Sequence, residues 1–195
     1  MIILGIDPGL QATGYGVITE ERSVLQCVAA GDIRPSRAYP LARRLEVIHG
    51  ALAELITCHR PETVVLEKIF THHHHVTTAA MMGHARGVAC LAVQEQGVAL
   101  VEYPSTLVKK SLTGNGHASK EQVARMVRQW LRLEESWSHR LPASRRPAPE
   151  GPELPQAIPR QVVGWSADAT DALALAIVHA QAAAQQRNLP TGVLR

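Results

Sequence analysis

Ile2-Ile3-Leu4-Gly5-Ile6-Asp7-Pro8-Gly9 is the stretch from which the rest of the chain can be read. A short apolar, β-branched run closed by Asp-Pro-Gly is a strand stopped by a turn. Gly14–Thr19 and Val24–Gly31 read as two further strands, close enough in sequence for hairpin connections. Leu41, Leu45, Ile48, Leu52 and Leu55/Ile56 then recur at helical spacing, which predicts an amphipathic helix over about 38–58. Beyond Pro61, Thr63–Glu67 is almost continuously apolar, the pattern of a strand covered on both faces. A second helix over about 76–96 and a strand over Val98–Tyr103 follow. Three strands and then helix–strand–helix–strand predict an α/β domain built on a mixed sheet.

The chain after Pro104 is helical and basic. Ser119 to Gln122 has the Ser-x-x-Gln form of a capping box, opening a helix to about Leu133. Val123, Met126/Val127 and Trp130/Leu131 form its apolar stripe, with Arg125, Arg128 and Arg132 on another face. Between Ser105 and Arg132 six Lys/Arg oppose one Glu, so positive charge gathers here. Such a face is either simply solvated or a contact for a polyanion. Residues 134–165 hold six of the twelve prolines and read as a long, flexible, Pro/Arg-rich loop. An alanine-rich helix over about 167–187 and a tail, 188–195, complete the chain, and no internal repeat is visible.

The 195 residues suffice for one domain, here 1–187, and hardly for two. Apolar residues make up 46% and charged residues 19%, which excludes a wholly disordered chain. The formal charge of +3 is compatible with a polyanionic partner without requiring one. Three cysteines, Cys27, Cys58 and Cys90, have no C-x-x-C spacing. They argue against a disulfide framework or a thiolate zinc site and suit the reducing cytoplasm. No segment reaches the ~18 apolar residues of a membrane span, and the opening strand lacks the basic flank of a signal peptide.

Four acids stand out. Asp7 and Glu67 each end a strand; if those strands are parallel neighbours, both carboxylates emerge at one sheet edge. Asp168 and Asp171 are three apart in a helix and share a face. Each also has a plainer reading: a turn residue for Asp7, a surface charge for Glu67, helix-dipole partners for Asp168 and Asp171. Convergence of all four would create a self-repelling cluster that hard divalent cations relieve. Oxygen-only ligands favour Mg²⁺ or Mn²⁺ over zinc. Two such ions about 4 Å apart can hold a phosphate, activate a water and stabilise a leaving oxygen.

Taken together, the motifs resemble one family. Ile3–Gly9 with Thr13-Gly14-Tyr15-Gly16, then Glu67-Lys68-Ile69-Phe70 and Gly83-His84-Ala85-Arg86-Gly87, are similar to RuvC Holliday-junction resolvases. Val108-Lys109, Gly114-Asn115-Gly116-His117, Lys120 and Asp168-Ala169-Thr170-Asp171-Ala172-Leu173-Ala174 continue the resemblance in family order. It implies a ribonuclease H-like fold, a mixed five-stranded sheet flanked by helices. It also implies a metal-dependent endonuclease that resolves four-way DNA junctions in recombination and repair. Metal ligation passes to Asp7, Glu67, Asp168 and Asp171, and in some members histidine takes the position matching Asp168. Two ions per site, Mg²⁺ or Mn²⁺, are implied. Lys109 and Lys120 are placed near the scissile phosphate; Lys110, beside Lys109, and Arg125 join them as candidate DNA contacts. Phe70, the only phenylalanine, would stack on the opened junction, where base stacking is worth ~1–3 kcal/mol. The run His72–His75 reads as loop, with transition-metal binding a lesser alternative.

A junction with approximate two-fold symmetry needs two opposed cuts, so one site per chain implies a homodimer, with the helix over about 76–96 as interface. The family further implies partnership with the RuvA–RuvB branch-migration complex. The resemblance expects only a short connection where this chain has 134–165. Three rival readings stay open here: a sugar kinase or actin-like ATPase, which needs two such domains; a nuclease of the same fold acting on another nucleic acid; and a non-catalytic junction-binding protein.

Overall fold

The structure, a computed structural model, describes residues 1–68, 76–132 and 166–188, the backbone alone for 76–78 and 188. Five strands form one sheet: β1 (Ile2–Asp7), β2 (Thr13–Glu21), β3 (Val24–Ile33), β4 (Thr63–Lys68) and β5 (Ala99–Pro104). Their spatial order is β3-β2-β1-β4-β5. β1 pairs antiparallel with β2, and β2 with β3; β1–β4 and β4–β5 are parallel. This is the mixed sheet of the ribonuclease H-like fold.

β2 and β3 run two residues further than the sequence pattern predicts, to Glu21 and Ile33. Only Arg22 and Ser23 connect them, both at positive φ (50° and 64°). That is the primed turn matching the right-handed twist of a hairpin. Neither residue is the usual Gly or Asn, and the Ser23 N–H donates to the Glu20 carboxylate across the turn. A register shift between Val17 and Ile18 leaves Val28 as an extra residue on β3.

Helices cover both faces. α1 (Leu41–His59) and α2 (Val76–Glu95) pack on one face; α3 (Ser105–Thr113), α4 (Lys120–Trp130) and α5 (Ala167–Asn188) pack on the other. Alternation along the strands feeds both layers. Leu4, Ile6, Val64 and Leu66 meet Ile48, Leu52 and Leu55 of α1. Ile3 and Val65 meet Leu173 and Ile177 of α5. The strands read as continuous apolar runs because both sets are buried.

α1 stops at Arg60, which takes the left-handed conformation (φ 49°) just before Pro61. α4 begins with the predicted capping box. The Ser119 side chain accepts from the Gln122 N–H, and the Gln122 side chain accepts from the Ser119 N–H. α4 ends at Trp130, three residues before the expected Leu133, and Arg132 already has φ 51°. The expected loop at 134–165, Phe70, His72–His75 and the tail beyond residue 188 lie outside the described residues. Among the described residues no helix is long and apolar enough to cross a membrane.

α5 lies almost against the sheet. Beside Leu173 and Ile177, its buried side includes Ala169, Ala172 and Ala176, all 1% exposed or less. Glycines face it from below. A Cβ on Gly5 would stand 1.9 Å from the Ala172 carbonyl oxygen, and one on Gly14 would stand 2.1 Å from that of Asp168. Small residues on both sides thus set the depth at which the helix sits.

Candidate active site

Asp7 ends β1. The parallel register Ile6↔Leu66 sets Glu67 beside it, on the neighbouring strand at the same sheet edge. Ile3, four residues before Asp7, and Val65, two before Glu67, face the α5 layer. Side-chain alternation therefore turns Asp7 and Glu67 toward α5 as well. Asp168 and Asp171 occupy the opening of α5, which crosses over Gly14, the register partner of Asp7. The four acids named from the sequence thus come from three distant segments to one place.

Their mutual influence bears on Asp7. Burial first, then the carboxylates of Asp171, Glu67 and Asp168, raise its pKa from 3.8 to about 7; Lys120 opposes them. Glu67 is also raised, mainly by burial, while the Ser105 side chain and Lys109 pull it down. Asp168 is raised by burial and by Asp32, against the lowering effect of Arg34.

Two cations hold the outer acids. The Lys120 ammonium donates to Asp171 Oδ2 at 3.3 Å, and its own pKa rises chiefly because of Asp171. Arg34 Nη2 lies 3.8 Å from Asp168 Oδ2 and 2.8 Å from Asp32 Oδ2. Among the described residues, no three His, Cys, Asp or Glu side chains are gathered closely enough to hold one metal ion as they stand. The acids are near enough to repel one another through buried surroundings, with the outer pair drawn toward Lys120 and Arg34. An all-oxygen donor set whose innermost member, Asp7, is raised by burial and then by the other three acids suits a hard divalent cation, which removes that repulsion.

The sequence-derived lysines separate here. Lys120 stands among the acids and Lys109 acts on Glu67, whereas Lys110 is exposed on α3. Arg125 lines a cavity of about 140 Å³ with Thr113, Asn115, Gln122 and Met126, away from the carboxylates.

Three contributors escaped the sequence reading. Asp32, Arg34 and Ser166 join the end of β3 to the start of α5. Asp32 carried a signal only in hindsight: it is the register partner of Gly14, so Asp7, Gly14 and Asp32 form one row across three strands. Arg86, within a motif quoted above, also finds its role. It donates to the Glu67 main-chain carbonyl and pairs with Glu102 of β5, bracing the end of β4 from α2.

A ribonuclease H-like sheet with acids at the ends of its central strand and that strand's parallel neighbour, completed by an acid-bearing helix, defines the class of carboxylate-centred nucleases. The comparisons narrow it. The family described as "Crossover junction endodeoxyribonuclease RuvC" matches residues 3–143. A relative of that name from Rhodopirellula baltica is 46% identical over 132 residues, 68% of this chain and 74% of that protein. One from Zymomonas mobilis is 37% identical over 187 residues, 96% of this chain and 95% of that protein. The structure of T. thermophilus RuvC in complex with Holliday junction substrate superposes with a TM-score of 0.75. It is 29% identical and covers 95% of this chain and 96% of that one. The chain belongs to the RuvC family of crossover junction endodeoxyribonucleases.

Proposed function

We propose that this protein is a divalent-metal-dependent endonuclease that resolves four-way DNA junctions by hydrolysing two symmetric phosphodiester bonds. The observation that carries the reading is that Asp7 and Glu67, at the ends of neighbouring parallel strands, lie beneath the turn of α5 that bears Asp168 and Asp171, where burial and then the other three carboxylates raise Asp7 to about 7. Family membership supplies the substrate class. Nucleases of this family depend on metal in general; here the four acids are the holders and Mg²⁺ or Mn²⁺, two per site, the ions their oxygen chemistry favours. Such ions, when bound, neutralise the acids, make water a better nucleophile and stabilise the leaving oxygen.

The protein's own groups do the rest. Lys120, beside Asp171, offers positive charge where negative charge gathers on the phosphate in the transition state, and Lys109 does so beside Glu67. In the reaction a bond forms between water oxygen and phosphorus, the bond from phosphorus to the 3′ oxygen breaks, and no covalent enzyme intermediate is needed. Lys110 and Arg125 extend the basic surface to more distant phosphates. Phe70 is the proposed stacking residue at the opened junction. Residues 1–187 act as one nuclease domain, two copies work as a homodimer on the two-fold junction, and RuvA–RuvB is the expected machine partner.

The deciding test pairs an immobile four-way junction with a matched linear duplex, in Mg²⁺, Mn²⁺ or EDTA. Paired nicks in the junction alone, abolished by EDTA, are expected. A junction bound but uncut under every metal favours a binding protein, and preferential cutting of an RNA–DNA hybrid favours a different nuclease; either overturns the reading.

A further inference from the structure

Asp32 sits one residue before the end of β3 and accepts hydrogen bonds from two directions. The Ser166 hydroxyl donates to its Oδ1, and Arg34 Nη2 donates to its Oδ2 at 2.8 Å. Ser166 is in turn the cap of α5. Its Oγ accepts from the Ala169 N–H at 3.0 Å, and its carbonyl accepts from the Thr170 hydroxyl at 2.8 Å and the Thr170 N–H at 3.1 Å. Arg34 also reaches toward Asp168 Oδ2, at 3.8 Å. The start of α5 is therefore gripped at three points from one strand end: its capping hydroxyl, its first-turn amide through that hydroxyl, and its first acid.

The grip has a geometric purpose. Gly14, the register partner of both Asp7 and Asp32, lies directly beneath the Asp168 carbonyl. That contact fixes the height of the helix but not its rotation, because a glycine offers no side chain to turn against. Rotation decides whether Asp168 and Asp171 face Asp7. A hydroxyl that both donates to a strand carboxylate and accepts from the first turn locks that rotation.

We propose that Asp32, through Ser166 and with Arg34, is a positioning residue that sets the rotation of the first turn of α5 and so aims Asp168 and Asp171 at Asp7. The assignment rests on the nuclease site proposed above. Partners behind metal-holding groups commonly change metal affinity by about 10- to 100-fold. A partner that only capped the helix would show its loss in stability, so metal affinity is the readout that separates aiming from capping.

The test uses the full chain and compares Asp32→Ala, Asp32→Asn, Ser166→Ala and the double variant Asp32→Ala/Ser166→Ala. The readouts are Mn²⁺ affinity without DNA, by electron paramagnetic resonance, and kcat and KM separately on a junction. Asp32→Ala is expected to weaken Mn²⁺ binding at least ~10-fold and to lower kcat with KM little changed. Asp32→Asn keeps an oxygen acceptor for Ser166 and is expected to recover most of the affinity. The double variant is expected to lose no more than the worse single one, because both break one linkage. Parent-like Mn²⁺ affinity in Asp32→Ala overturns the proposal, as does an Asp32→Asn loss equal to that of Asp32→Ala, which would make the charge itself the active feature. Asp7→Asn separates the two levels: if it binds Mn²⁺ and cuts like the parent, the site reading itself fails; if it loses both while Asp32→Ala does not, only the positioning role fails.

Discussion

The α-carbon of Gly14 lies so close beneath the first turn of α5 that a Cβ there would stand 2.1 Å from the Asp168 carbonyl oxygen and 2.2 Å from its carbonyl carbon. Backbone, not a flexible side chain, blocks the space, so neither partner can give way without moving the helix. Gly14→Ala is therefore expected to lift the start of α5 off the sheet. Overpacking of this kind costs about 1–3 kcal/mol, visible as a lower midpoint in urea unfolding. Because Asp168 and Asp171 ride on the displaced turn, junction cutting is expected to fall far more than the stability change accounts for. Parent-like cutting in a destabilised Gly14→Ala chain would show that the placement of these acids tolerates such a shift.

Asp7 makes the metal-free protein sensitive to pH. Its folded pKa, about 7, lies above its ordinary value of 3.8, owing to burial and then to Asp171, Glu67 and Asp168. The native state therefore holds this proton more tightly than the unfolded chain. The corresponding stability is fully present below about pH 4 and is lost as pH rises through about 7, on the order of a few kcal/mol. Urea unfolding in EDTA should show stability declining across this window, and Asp7→Asn should flatten the decline. A divalent cation competes with the proton, so its stabilising effect should be larger at pH 8 than at pH 6. The same variant is expected to lose junction cutting at least ~10²-fold while still binding junctions in EDTA.

Lys120 donates to Asp171 at 3.3 Å, and its raised pKa also reflects Asp7 and Asp168. Its side chain is largely solvent-exposed, so the pair with Asp171 contributes little to stability. Lys120→Met is thus expected to leave the unfolding midpoint nearly unchanged. Its cost falls on chemistry: kcat should drop by ~10²-fold or more, as when one transition-state donor is removed. If Lys120 also touches a phosphate in the bound junction, the salt slope of binding should shrink by about 1. Lys110→Met, altering an exposed residue of the neighbouring helix, should change binding alone. Equal kcat losses in the two variants would contradict this division.

Much of this arrangement could be read from the chain because its signals are local. The β-branched run ending in Asp7, the apolar run ending in Glu67 and the Ser119–Gln122 box each mark an element from within itself. The spacing of Asp168 and Asp171 needs only a helix. Convergence of the acids follows from the sequence if β1 and β4 are parallel neighbours, as they are. The Asp32–Ser166 bond was not, because its partners are 134 residues apart and meet only through the register of β2 on β3. The Arg22–Ser23 turn was also hidden, since neither residue type signals positive φ. The end of α4 came early because Leu131 and Arg132 leave helical geometry although the apolar stripe continues.

Arg86 links the sheet edge to α2. It donates to the carbonyl of Glu67 and pairs with Glu102 on β5, tying the backbone of one acid to the adjacent strand. Arg86→Met keeps much of the apolar stem but leaves the Glu67 carbonyl short of a donor and Glu102 without its cation. Losing a hydrogen bond from a charged group costs about 1.5–3 kcal/mol, which urea unfolding should register. Glu102→Gln leaves the arginine's bond to Glu67 available and should cost less in both stability and cutting. The order of effects on kcat is therefore expected to be Arg86→Met well below Glu102→Gln, with the latter close to the parent. The reverse order would mean that the ion pair, and not the grip on the Glu67 main chain, holds this acid in place.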